Sequence, residues 1–288
     1  MGTAESFISG GFSDAMKLKS IEPGLKHWYG MFLARKEVVM PYQQVGDCSV
    51  FYEDIGLGEP VLFLHSGYSR GIIAFSGQIQ PFFHSYRLLL PDFRGHGRTK
   101  AVEKNWDTPR ICEDMAGFLR EMGVESAHLI GYSLGGAVAL HLAAKYPHMV
   151  RSITTIGCGG VADPTGADDF EPEALLERNQ HEFIDMIKAI HADAHGGDWK
   201  HHLRQSAEDW RRYPSLTDSD WLKLTMPMLL IGGENDIYAT NDKLQEMKSR
   251  CPQAEIYIVP GSSHRPHMPT DKVKEVNKRI LEFLKTCT

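Results

Sequence analysis

The stretch "HLIGYSLGGAVAL" sets a serine between glycines at the point where an apolar run changes character. Ala127, Leu129 and Ile130 read as a buried strand. Ala137, Leu140, Ala143 and Ala144 fall at helical spacing, so Ser133 sits at a strand-to-helix joint. A nucleophile suits such a joint, because a tight, strained turn lifts the hydroxyl clear of the sheet. Gly131 and Gly135 fit the same picture by removing side chains that would collide where the helix passes the strand. The Leu134 amide then lies at a helix N-terminus, where the dipole favours a developing negative charge. The competing reading is a glycine-rich bend with no chemistry.

A serine needs a base, and the base needs an acid to orient it. Asp236 follows the apolar run of "MPMLLIGGENDIY", and His264 follows the next one, "EIYIVPG", in "SSHRPH". Each falls in a loop at the carboxyl end of a strand, and the order Ser133, Asp236, His264 is the one this kind of sheet imposes. Rivals are close at hand. His267 lies three residues beyond His264, Glu234 two before Asp236, and Asp163 follows the preceding core strand.

The elements that must hold these residues are legible in the same way. "EVVMPYQ" and "CSVFYED" alternate about Gly46-Asp47 and predict an antiparallel hairpin. "PVLFLH", "YRLLLPD", "AHLIGY", "RSITTIG", "PMLLIGG" and "EIYIVPG" are solid apolar runs, the mark of parallel strands covered by helices on both faces. Residues 107–123 predict a helix with Ile111, Met115, Phe118, Leu119 and Met122 on one face, opened by Thr108-Pro109 and closed by Gly123. Residues 271–285 predict another, with Val273, Val276, Ile280, Leu281 and Leu284 inward. The alternation breaks once: residues 161–225 are rich in helix formers, Trp and His and hold no solid strand run, so they read as an inserted helical cap. The core is then 37–160 with 226–288. Residues 1–36 form an N-terminal helical extension, where Leu25, Trp28, Tyr29 and Phe32 make one apolar face. That face gives a surface helix or a homo-oligomer contact.

Composition narrows the function classes. The chain has 288 residues, 42% of them hydrophobic, and a formal net charge of -6 without a basic stripe, so no nucleic acid partner is expected. Five scattered cysteines without a CxxC pair argue against a disulfide framework or structural zinc and fit a reducing, cytoplasmic compartment. The start lacks a basic then apolar leader, and no apolar run reaches membrane-spanning length, so no membrane association is expected. In the cap, His191 and His195 stand one helical turn apart, a metal-ligand spacing. Gly196-Gly197 ends the helix there, however, and the better reading is that no metal binds. Phe183, Trp199 and Trp210 read as cap core or pocket lining.

Taken together, "FLHSGYS", "LLLPDFRGHGRT", "GYSLGG", "LLIGGENDIY" and "VPGSSHRPH" resemble, in content and order, the alpha/beta-hydrolase fold superfamily from about residue 37 onward. The resemblance implies a mostly parallel eight-stranded sheet with helices on both faces and a helical cap. It implies Ser133 as nucleophile, His264 as base and Asp236 as acid. Relatives usually carry His-Gly-x in the oxyanion loop and donate the amide two residues past the histidine, which maps to Gly67, with the Leu134 amide as the second donor. This chain departs from that pattern at Ser66, which leaves Tyr68 as an alternative helper. His65, Asp92, Arg94 and His96 are expected to hold turns. Tyr68, Tyr132 and His267 are assigned to the substrate pocket. The implied activity is hydrolysis of a small-molecule carboxylic ester or lactone through an acyl-enzyme, with no cofactor. Carbon–carbon bond hydrolysis, amidase, perhydrolase or acyltransferase chemistry stays open, as does a slow-turnover ligand receptor.

Overall fold

A computed structural model describes residues 41–287. The apolar face expected in 1–36 and the first residues of the strand expected from Glu37 lie outside the described residues.

The strands are β1 (Tyr42–Val45), β2 (Cys48–Ile55), β3 (Glu59–Leu64), β4 (Tyr86–Pro91), β5 (Lys100–Ala101), β6 (Ala127–Tyr132), β7 (Val150–Ile156), β8 (Met228–Gly233) and β9 (Ala254–Val259). They form one sheet in the order β1-β2-β4-β3-β6-β7-β8-β9, with β5 paired to β2. β1 and β2 make the expected hairpin about Gly46, whose φ of 56° a side chain would resist. β2 meets β4 antiparallel, and from β4 to β9 every neighbour is parallel. The solid apolar runs are explained by burial: β6 and β8 are buried at every position. The ninth strand is one more than the eight expected. It escaped detection because two residues, one of them an exposed lysine, carry no apolar period.

The helices are α1 (Gly71–Ala74), α2 (Ser76–Phe82), α3 (Thr108–Glu121), α4 (Leu134–Lys145), α5 (Pro172–Glu177), α6 (His181–Ile190), α7 (Ala192–His195), α8 (Trp199–Arg212), α9 (Asp218–Trp221), α10 (Asn241–Arg250) and α11 (Val273–Leu284). α3 and α11 lie where the apolar stripes put them. The cap of α3 is Asp107 rather than Thr108: the Arg110 amide donates to its carboxylate at 2.9 Å. Thr108 is spent elsewhere, donating its amide and hydroxyl to the two oxygens of Asp209 on α8 at 2.6 and 2.8 Å. α5 to α9 all lie between β7 and β8. Among the described residues no helix is long and apolar enough to cross a membrane.

Histidines join α6–α8 to the turns after β4. The Gly97 amide donates to His191 Nδ1 at 2.8 Å, and His202 Nδ1 donates to the Gly95 carbonyl at 3.0 Å. The His191 and His202 rings stack at 4.3 Å, His96 lies 5.0 Å from His202, and His65 lies 5.3 Å from His96. Burial pushes His65 and His96 down to about 3. Burial, then the charge of neighbouring rings, holds His191 and His202 well below the ordinary value, and burial also lowers His195. Because these rings are harder to protonate folded than unfolded, their stability contribution is full above about pH 6.5 and is lost as pH falls below it, by about 1.4 kcal/mol per pH unit for His65 and for His96 down to about pH 3. Glu53 and Asp209, raised to about 7 mainly by burial, work in the opposite direction over the same range. Burial lowers His128, His141 and His267 as well, so eight rings against two carboxyls leave a net loss. The melting temperature should therefore drop steeply between pH 7 and pH 5 in a calorimetric scan; a flat profile there would mean the rings protonate without cost.

Candidate active site

The turn at Ser133 is built by close packing. A Cβ on Gly131 would overlap the Gly135 carbonyl, and one on Gly135 would overlap the carbonyl oxygen of Leu64 at the end of β3. With both side chains missing, α4 runs directly against the sheet. Ser133 is left at φ 53°, ψ -116°, one of two non-glycine residues with positive φ among the described residues. Such a conformation costs on the order of 1–3 kcal/mol and persists because the surroundings enforce it. The Ser133 amide donates to the Ile156 carbonyl at 2.9 Å, and its carbonyl accepts from the Gly136 amide at 2.8 Å. Serine at a helix N-cap ordinarily uses its hydroxyl to cap. Here it makes no capping hydrogen bond, so the turn does not occupy that oxygen in holding the helix.

Of the three candidate acids, Asp236 is the one that meets His264. His264 Nδ1 donates to Asp236 Oδ2 at 2.9 Å, and the Tyr238 and Ala239 amides donate to Oδ1 at 2.9 and 3.1 Å. Burial opposes charge on this carboxyl, but the imidazole and the two amides outweigh it and hold its pKa below the usual range. With its proton on Nδ1, the neutral ring offers Nε2 as an acceptor. The ring lies against Gly157, where a Cβ would stand 3.0 Å from Cε1 and Nδ1. Gly157 directly follows Ile156, the residue that holds the Ser133 amide. Three loops, after β6, β8 and β9, thus gather at one end of the sheet beside the end of β7.

The rivals are engaged elsewhere. Asp163 pairs with Lys243, which also donates to the Tyr238 carbonyl at 2.8 Å, and Glu234 accepts from the Gly261 amide at 2.8 Å. His267 is fully buried, 4.4 Å from the Tyr132 ring and 5.5 Å from Phe75, with burial pushing it down to about 3. Tyr132, also buried, stands between His267 and His264, its ring 5.4 Å from the latter. Both residues thus lie buried among aromatic rings beside His264.

The loop after β3 lies beside the start of α4: a Cβ on Gly67 would sit 3.7 Å from Leu134 Cδ2. The Ser69 amide closes a turn onto the Ser66 carbonyl at 3.2 Å, and His65 fixes that carbonyl through Nδ1 at 2.8 Å while Nε2 accepts from the Phe93 amide at 2.9 Å. Asp92 and Arg94 are tied into turns as expected. Asp92 accepts from the Gly71 and Arg98 amides, and Arg94 is buried between Asp114 and Asp47. His191 and His195 each spend Nδ1 on a backbone amide, of Gly97 and Gly197. Among the described residues no group of three or more His, Cys, Asp or Glu is placed to hold a metal ion.

Sequence reasoning passed over Tyr238. Its ring stands 5.1 Å from His264 and 5.2 Å from Trp210 of α8, so it links the acid loop to the helical segment. The Asp-x-Tyr spacing, which lets a carboxylate accept from the amide two residues on, was the available signal.

Comparison with known proteins follows this geometry. A protein of Azorhizobium caulinodans named for carbamate hydrolysis is 34% identical over 124 residues, 43% of this chain and 46% of that one, so the match spans about half of that relative. The non-heme chloroperoxidase CPO-A1 of Kitasatospora aureofaciens is 28% identical over 272 residues, 82% of this chain and 95% of that one. The solved structure of a thermophilic esterase from Thermogutta terrifontis aligns with a TM-score of 0.68 at 21% identity over 86% of this chain and 97% of that one, a likeness in fold. The sheet order, the glycine-flanked serine turn and a match of residues 61–278 to the family's sequence pattern have one reading: the chain belongs to the alpha/beta hydrolase family.

Proposed function

We propose that the protein is a serine hydrolase that cleaves a carboxylic ester or lactone of a small molecule. Ser133 is the nucleophile. His264 Nε2 takes its proton as Oγ attacks the carbonyl carbon, and the Leu134 and Gly67 amides hold the oxyanion. The imidazolium then protonates the leaving alkoxide, giving an acyl-enzyme and a free alcohol. Water, deprotonated by the same ring, attacks the acyl carbon, and the carboxylic acid leaves as Ser133 regains its proton. Asp236 keeps the ring in the productive tautomer and balances its charge. Each step uses groups of the chain itself, so the cycle calls for no cofactor. The helical segment 161–225 roofs the pocket.

The observation that carries this reading is the Asp236–His264 hydrogen bond of 2.9 Å, formed beside a strained serine whose hydroxyl does not cap its helix. A carboxylate-oriented imidazole next to such a serine is suited to acyl transfer, and an ester or lactone has a better leaving group than an amide or a carbon–carbon bond. A fluorophosphonate probe should label the native protein at Ser133 in peptide mass mapping. Repeated turnover of p-nitrophenyl butyrate should accompany the labelling. Labelling elsewhere, or one slow burst without turnover, would overturn the assignment, the burst favouring a ligand receptor.

A further inference from the structure

Tyr68 directly follows Gly67, and its hydroxyl oxygen is buried with no hydrogen-bond partner among the described residues. A buried hydroxyl without a partner is destabilising, and phenylalanine would fill the same space without that penalty. The oxygen therefore asks for a purpose. Its ring is fixed from two sides, stacked on Phe170 at 5.0 Å and 17° and edge-on to Phe183 at 5.5 Å. The phenol cannot swing away to find water without breaking these contacts. Burial pushes its pKa up, so it stays protonated and is available as a donor.

The rings around it continue toward the base. Phe170 touches Trp210 at 5.5 Å, Trp210 touches Tyr238 at 5.2 Å, and Tyr238 touches His264 at 5.1 Å. This arc runs from the loop beside Leu134 to the imidazole. Phe170 and Phe183 are buried, whereas Tyr68, Trp210 and Tyr238 are partly exposed. The charged residues beside it are engaged: Glu171 and Arg211 with each other at 2.8 Å, Asp209 with the Thr108 amide and hydroxyl, and Asp169 with Arg178. A flat, uncharged group is the chemistry such a wall receives.

We propose that Tyr68 donates a hydrogen bond to substrate from within this aromatic wall, and that the acyl part of the substrate is a planar, uncharged group bearing an acceptor oxygen. The proposal rests on the serine-hydrolase reading and specifies its substrate class. It is tested with p-nitrophenyl esters of the three methoxybenzoic acids, each paired with the methylbenzoate of the same shape but without the acceptor. For at least one pair the wild-type enzyme should show the lower KM on the methoxy ester. Tyr68→Phe should raise that KM ~5–10-fold relative to the KM of the methyl ester, as loss of one neutral hydrogen bond implies, so that the wild-type gap within the pair closes. Its melting temperature should be equal or higher, because no protein partner is lost. Equal KM values within all three wild-type pairs, or a Tyr68→Phe enzyme that treats both members of every pair alike, would overturn the proposal. Ser133→Ala run beside it separates the two ideas: if it is inactive while Tyr68→Phe changes nothing, the nucleophile stands and the Tyr68 assignment falls.

Discussion

Ser133→Ala should lose ester turnover by ~10³-fold or more, approaching ~10⁶, while folding as the parent does. On the proposed mechanism the loss is large because the acyl-enzyme forms on this oxygen, and what persists is catalysis by the oxyanion donors alone. The stability half of the prediction is equally specific. The hydroxyl makes no capping hydrogen bond, and alanine keeps the Cβ that already stands in the strained conformation, so the melting temperature should move by no more than about 0.5 kcal/mol in equivalent stability. Steady-state kinetics and a thermal scan on the same preparation check both halves. An active Ser133→Ala enzyme removes the nucleophile assignment, and an unfolded one shows that the turn depends on the oxygen.

Asp236→Asn should cost ~10³–10⁴-fold in kcat with little change in KM. The reason lies in the three hydrogen bonds the carboxylate accepts. Oδ1 takes the Tyr238 and Ala239 amides, so asparagine must put its own oxygen there, and its NH₂ group then faces His264 Nδ1. The imidazole can meet that donor only as the tautomer with its proton on Nε2, and this ring cannot accept a proton from Ser133. Geometry survives while the proton is in the wrong place. Asp236→Ala, which abandons the two amides as well, should lose stability in addition. Since the aspartate's pKa is depressed, the native carboxylate stays charged through the neutral range, and its stabilising effect is lost only as pH falls through that depressed value. Equal activity of Asp236→Asn and the parent would show that another group orients His264.

Much of the scaffold was visible without coordinates. The apolar run 127–132 is β6 to the residue, and "PMLLIGG" and "EIYIVPG" fall within one residue of β8 and β9 at their starts. Both strand and helix periods are local, set by which face meets the core, so they survive in the linear chain. The two-residue β5 had no period to show. The Thr108 reading failed for a different reason: serine and threonine are read as caps because they often cap, but here a carboxylate 101 residues away claims the hydroxyl and amide, and Asp107 takes over. Asn277 likewise looks like surface in the sequence. It is buried on α11, bonded to Gln78 and to the Gly77 carbonyl.

The sequence by itself determined the order of strands and helices, the glycine-flanked serine at a strand end and the two loops that carry an acid and a histidine, because each depends on neighbours within a few residues. Only the tertiary structure decided that Asp236 rather than Asp163 or Glu234 meets His264, that His191 and His202 pack as neutral rings against the turns after β4, and that Tyr68 is clamped by Phe170 and Phe183. Those outcomes are contacts between segments tens of residues apart. They follow from which carboxylate finds an amide or a lysine first in space and from which rings lose their water on packing, and neither is encoded in spacing along the chain.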